Sequence, residues 1–312
     1  MKNVRKYAVI GTGAIGGFYG AKLQRSGIEV HFLLHRDYEY VKQHGLVIES
    51  ADGNFTLPQV NAYNDVNKIP ACDVVLVTLK TTDNFLLPKL LPNLVKDDGV
   101  VLVLQNGLNL EPYVADIVGD HRVMGGLCFI CSNKIDNGHI HHLDYGQITL
   151  GDYAKNYRAC GITERMKAIA EDLEKAEISI QLSSDLLLSR WKKLVWNIPF
   201  NGLSVVLRTT TDEIMSNFYT RNLAENLMRE VVSIASVNQR YISSEFVEKM
   251  LIDTEKMKPY SPSMKLDYEA KRPLEIEAIF GNPLKVAQQG SIKAPRIEMI
   301  YQQLQFLDHF SH

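Results

Sequence analysis

Three groups of residues in this chain have the types and spacing to do chemistry. The first is Gly11-Thr12-Gly13-Ala14-Ile15-Gly16, followed by Gly17, which fits G-x-G-x-x-G. It follows an apolar strand-like run at residues 6–10 and opens a helical pattern at 14–26. A second strand-like run comes at 29–34, which is the context this motif needs to hold a dinucleotide. Gly11 admits the tight turn, Gly13 lets the backbone approach a pyrophosphate, and Gly16 lets the helix pack on the strand. The helix N-terminus stabilises the negative charge. The second group, His35-Arg36-Asp37, ends the second strand-like run. An acid there would bind a ribose 2′-hydroxyl, whereas an arginine would accept a 2′-phosphate. Arg36 therefore favours NADPH, although a shift of one residue would present Asp37 and favour NADH. The third group is Lys193, Asn197 and Asn201, spaced by four residues on a helical pattern otherwise covered by Trp191, Leu194, Val195 and Ile198. On a helix these three polar groups share one face. Reducing a ketone puts negative charge on its oxygen, which a lysine ammonium can stabilise and protonate. Asparagine amides can orient the carbonyl. An ordinary surface lysine is the competing reading of that segment taken alone. Pro199, with no N–H, is expected to disturb this helix.

The elements that must position these groups divide the chain in two. In the first part, β-branched runs at 73–78 and 100–104 look like strands buried on both faces of a parallel sheet. A helical pattern at 83–94, interrupted by Pro88 and Pro92, separates them. Short antiparallel strands are expected over 122–151, a helix at 163–176 and a last strand at 178–182. This alternation predicts a Rossmann-type, doubly wound α/β sheet. After about Ser184 the strand signals stop. Helices are expected at 185–207, 219–239, 244–258, 274–289 and 295–310, with Ser183, Ser184 and Asp185 as N-cap candidates for the first. The expected domains are thus a dinucleotide-binding domain at 1–183 and an all-α domain at 184–312. Residues 258–263, Lys-Pro-Tyr-Ser-Pro-Ser, form the clearest loop of the second part.

Bulk properties exclude several classes. Lys plus Arg is 34 and Asp plus Glu is 36, a net charge of −2. No strong field exists to attract nucleic acid or an anionic membrane. No run of about 18 apolar residues predicts a spanning helix. The four cysteines are too few for a disulfide scaffold, which fits a soluble cytoplasmic protein. Cys128 and Cys131 read as part of a strand-like run, without a second pair to complete a zinc set. His139, His141 and His142 are expected on an exposed hairpin after Gly138, and Asp97-Asp98-Gly99 reads as a turn. No metal site is expected.

Taken together, the chain resembles the ketopantoate reductase (2-dehydropantoate 2-reductase) family. The resemblance rests on Gly11 to Gly17, Val77-Thr-Leu-Lys80, Gln105-Asn-Gly107, Trp191-Lys-Lys-Leu-Val-Trp-Asn197, Pro262-Ser-Met264 and Leu274-Glu-Ile-Glu277. It implies NADPH-dependent reduction of 2-dehydropantoate, a small 2-oxo acid, to pantoate. By that resemblance Lys193 is the general acid and Glu275 supports the catalytic centre. Asn106, Asn197, Asn201 and Ser263 would hold the substrate or the nicotinamide end. Lys80 would contact the cofactor, with Arg36 near the 2′-phosphate. His35 stands where the family commonly has an arginine, so Arg36 comes one place later. Two alternatives stay open: reduction of another small 2-oxo acid, and a non-catalytic NADP(H)-binding sensor. A helical C-terminal domain often supports a dimer, so a homodimer is the candidate assembly.

Overall fold

The computed structural model describes residues 5–310. Contacts divide the chain into two compact units. One comprises 1–105 and 110–186, the other 106–109 and 187–312.

The first unit is built on one sheet. Its strands are β1 (Tyr7–Ile10), β2 (Val30–Leu33), β3 (Leu46–Ser50), β4 (Phe55–Leu57), β5 (Asn61–Tyr63), β6 (Cys72–Val77), β7 (Val95–Val103), β8 (Val123–Asp136), β9 (His139–Asp152) and β10 (Ile180–Ser183). They lie in the order β4-β3-β9-β8-β7-β6-β1-β2-β5, with β10 pairing β9. From β5 to β8 all pairings are parallel. β1 and the last four residues of β6 are wholly buried, as apolar strands covered on both faces must be. The chain runs from β1 outward to β2 and β5, then returns to the other side of β1 as β6. This reversal leaves a switch point between β1 and β6 where ligands bind α/β sheets. Among the described residues, the α-helices of this unit are α1 (Ala14–Arg25), α2 (Tyr38–His44), α3 (Leu87–Leu90), α4 (Leu110–Val118) and α5 (Glu164–Lys175). α1 buries Gly16 to Leu23 against the sheet. α5 is tied to β1 by the Tyr7 hydroxyl, which donates to Asp172 at 2.9 Å.

The structure corrects several expectations. Residues 83–94 do not make one helix: a 3-10 segment at Thr81–Leu86 leads into the single turn α3, with a proline in its first turn. Residues 123–152 form one long antiparallel hairpin of two 14-residue strands rather than several short ones. Asp97 and Asp98 lie inside β7, where the register against β6 slips between Cys72 and Val74. The histidines are not on an exposed hairpin. They sit on β9, inside the sheet between β8 and β3. His142 is 1% exposed, packs tilted against Phe18 with ring centroids 4.3 Å apart, and bonds Ser50 Oγ at 2.8 Å. The strands at 46–63 were not anticipated. Cys72, Cys128 and Cys131 are buried free thiols, and burial pushes Cys72 up to about 12.

The second unit is helical: α6 (Leu186–Val206, its first residue in the other unit), α7 (Thr211–Ser216), α8 (Phe218–Val237), α9 (Ser244–Glu255), α10 (Ser263–Glu269), α11 (Asn282–Gln289) and α12 (Pro295–His309). α7 was not anticipated. The single helix expected at 274–289 is instead a π-helix at Glu277–Gly281 running into α11. Pro199 lies inside α6 and does not end it. Buried Glu230 takes the amides of Arg296 at 3.2 Å and Ile297 at 3.0 Å, capping α12 from α8. Among the described residues no helix is long and apolar enough to cross a membrane.

Candidate active site

The sequence-predicted residues fall into two sets, one in each unit. Gly11, Thr12, Gly13, Ala14, Ile15, Gly16, Arg36 and Lys80 belong to the sheet unit. Asn106, Lys193, Asn197, Asn201, Ser263 and Glu275 belong to the helical unit.

In the sheet unit the glycine turn is shaped by its neighbours. Gly11 has φ +93°, and a Cβ there would come within 2.6 Å of the Leu79 amide nitrogen. A Cβ on Gly16 would lie 2.3 Å from Thr78 Oγ1 and 2.5 Å from the Gly11 carbonyl oxygen. Thr78 Oγ1 donates to the carbonyls of Ile10 at 2.9 Å and Gly11 at 2.7 Å. The turn after β1 is therefore seated on the end of β6, and Lys80 follows two residues later, N-capping the 3-10 segment. Gly13 is different. The space its Cβ would fill is bounded by nothing nearer than Gly11 O at 4.0 Å, and it N-caps α1 without a side chain to bond the first-turn amides. No acid stands in that first turn. An uncapped helix start with open space before it fits a pyrophosphate. Past β2, Arg36 is exposed while Asp37 is buried, so the two candidates for the ribose are not equally presented.

In the helical unit α6 carries the polar row. Lys193 is half-buried; Asn197 and Asn201 are 5% and 2% exposed. The helix is held in rotation by its tryptophans. Trp191 Nε1 donates to Asn238 Oδ1 at 3.2 Å, and Trp196 Nε1 to Thr254 Oγ1 at 3.1 Å. Asn201 Oδ1 accepts the Met264 amide at 3.2 Å, which fixes the start of α10 and Ser263 beside the row. Glu275 is buried two residues before the π-helix, and its carbonyl accepts the Ile279 amide at 3.2 Å. The loop bearing Asn106 is pinned to that same π-helix. Leu108 N–H donates to Ala278 O at 2.9 Å, and Asn282 Nδ2 donates to Leu108 O at 2.8 Å. Gly107, at φ +114°, permits this approach, since a Cβ would lie 2.6 Å from Ala278 O. π-helical turns of this kind recur at functional sites. Among the described residues no group of three or more His, Cys, Asp or Glu could hold a metal ion.

Sequence reasoning missed Lys134, which lies on β8 and reaches Asp37 and the Thr12 carbonyl. Nothing local could have found it, because the contact spans 97 residues. The π-helix was also missed, since its residues keep an ordinary helical pattern.

A glycine-turn sheet that fits a dinucleotide, joined in sequence to a helical unit with a lysine-asparagine row, defines the class of nicotinamide-dependent oxidoreductases. Residues 7–155 match the family model described as ketopantoate reductase PanE/ApbA, and residues 185–308 match its C-terminal model. The chain is 62% identical over 306 residues to a 2-dehydropantoate 2-reductase from Nostoc sp., covering 98% of this chain and 96% of the relative. The crystal structure of 2-dehydropantoate 2-reductase from Geobacter metallireducens superposes with a TM-score of 0.92 at 41% identity, covering 96% of this chain and 99% of that one. The enzyme of that name from Methylococcus capsulatus gives 0.88 at 33% identity, covering 98% and 97%. The chain belongs to the ketopantoate reductase family.

Proposed function

We propose that the chain reduces 2-dehydropantoate to pantoate with NADPH, using Lys193 as general acid. The observation that carries this reading is the 62% identity across nearly the whole of a 2-dehydropantoate 2-reductase. The row of Lys193 with two buried asparagines on α6 supports it. When bound, NADPH supplies a hydride to the ketone carbon. The Lys193 ammonium lies against the carbonyl oxygen, stabilises the charge that develops there and gives up its proton to complete the alcohol. Asn197 and Asn201 supply amides that orient the substrate, with Ser263 and Asn106 contributing further polar contacts. Glu275 supports the lysine. Gly11 to Gly16 and Lys80 hold the dinucleotide, the open space at Gly13 taking the pyrophosphate.

The test is the loss of reduced-nicotinamide absorbance with purified protein across a panel of 2-oxo acids. We expect 2-dehydropantoate to have the highest kcat/KM. A higher value for another 2-oxo acid would overturn the substrate, and no turnover with any of them would overturn the reductase reading. For the cofactor, Arg36→Ala should weaken NADPH binding by about 10–100-fold, the worth of one charge-assisted contact. NADH affinity should change by less than about twofold, and an equal loss for both would remove the 2′-phosphate role. We place the enzyme in the cytoplasm, in keeping with its four free thiols. A homodimer is the proposed assembly, to be checked by sedimentation.

A further inference from the structure

The acid at the end of a second strand ordinarily accepts hydrogen bonds from a ribose diol. Here Asp37 occupies that stretch but is withdrawn, with its side chain only 6% exposed. Its Oδ2 is paired with the Lys134 ammonium and also accepts the Gly138 amide at 3.3 Å. The same ammonium donates to the carbonyl oxygen of Thr12, inside the glycine turn, at 3.3 Å. Thr12 Oγ1 in turn donates to Leu33 O at the end of β2, at 3.1 Å. One lysine from β8 thus joins the glycine turn to the segment that follows β2, and its side chain keeps 28% exposure.

Resting on the reading of the glycine turn as a dinucleotide site, we propose that Lys134 is a cofactor-specificity residue. It neutralises Asp37 and, together with Arg36, leaves a net positive charge where the ribose 2′ position falls. Arg36, Lys134 and Asp37 sum to one positive charge. Without Lys134 they sum to zero, and a bare carboxylate would face the incoming phosphate. A carboxylate opposing a phosphate is repulsive, whereas one opposing a diol is a good acceptor. Lys134 therefore favours a 2′-phosphate over a 2′-hydroxyl by acting on both terms at once.

The experiment is isothermal titration calorimetry with two cofactor fragments, 2′,5′-ADP, which carries the 2′-phosphate, and ADP, which lacks it. Circular dichroism and melting temperature check the fold of each variant. Lys134→Met should weaken 2′,5′-ADP by about tenfold or more, as for loss of one charge-assisted contact, and leave ADP unchanged or bound more tightly, because the freed Asp37 carboxylate can accept from its 2′-hydroxyl. Lys134→Arg should retain the preference. Asp37→Asn should strengthen 2′,5′-ADP several-fold. Equal weakening of both fragments in Lys134→Met would mean that the lysine merely braces the turn, and the proposal would fall. Should that variant not fold, Asp37→Asn decides, and unchanged or weaker 2′,5′-ADP binding overturns the idea. If neither fragment binds the unsubstituted chain, the dinucleotide reading fails and takes this proposal with it.

Discussion

Lys193→Ala is expected to lower kcat for 2-dehydropantoate by about 10²–10⁴-fold, the range for loss of a positioned general acid. The affinity for NADPH should stay within about twofold, because Lys193 lies on α6 in the helical unit and the glycine turn lies in the other. Stopped-flow turnover and fluorescence titration of NADPH read the two effects separately. The split distinguishes chemistry from folding: a damaged fold would lower both. Lys193→Arg keeps the charge but has no readily released proton, so it should recover little of the rate. Full activity in Lys193→Ala would remove the lysine from the mechanism.

The second large effect is expected at Gly11, with Gly13 as its control. At Gly11 an alanine meets two costs. Its φ of +93° is strained for a side chain, and the added Cβ would lie within 2.9 Å of Leu79 N, Leu79 Cα and Thr78 C. Those atoms are backbone, so no rotamer change relieves the clash. They cannot move far either, because β1 and β6 are paired through Ile10 and Val77. Strain and overpacking of about 1–3 kcal/mol each give Gly11→Ala about 2–6 kcal/mol of destabilisation. At Gly13 the added Cβ meets nothing nearer than 4.0 Å. Gly13→Ala should therefore leave the melting temperature nearly unchanged and abolish nucleotide binding, since the methyl takes the pyrophosphate's place. Chemical denaturation and calorimetry check both. Normal NADPH affinity in Gly13→Ala would move the pyrophosphate away from α1.

What the sequence made legible follows from how local each signal is. The glycine turn and β1, β2 and β6 were readable because strand, turn and helix follow one another within a few residues. The α6 row was readable because a four-residue spacing on a helix fixes a face without knowledge of the partner. The far side of the sheet was not readable. β3 and β9 pair across more than ninety residues, as Val47 with His139, and no local window contains both. That pairing also explains the histidines. Polar residues after a Gly turn suggest exposure, but β9 has neighbours on both sides, and His142 finds its partners in Ser50 and in the carbonyls of Asp144 and Tyr145. The Asp37 ambiguity had the same origin, because its partner Lys134 comes from the remote hairpin.

The pairing of β3 with β9 also constrains how the protein is made. Residues 46–50 leave the ribosome long before residues 139–142, against which they must be laid. At synthesis rates of about 5–20 residues per second, the wait is about 5–20 s. Throughout it, Leu46, Val47 and Ile48 can pair only with β4, which leaves their other edge unmet and open to association with other chains.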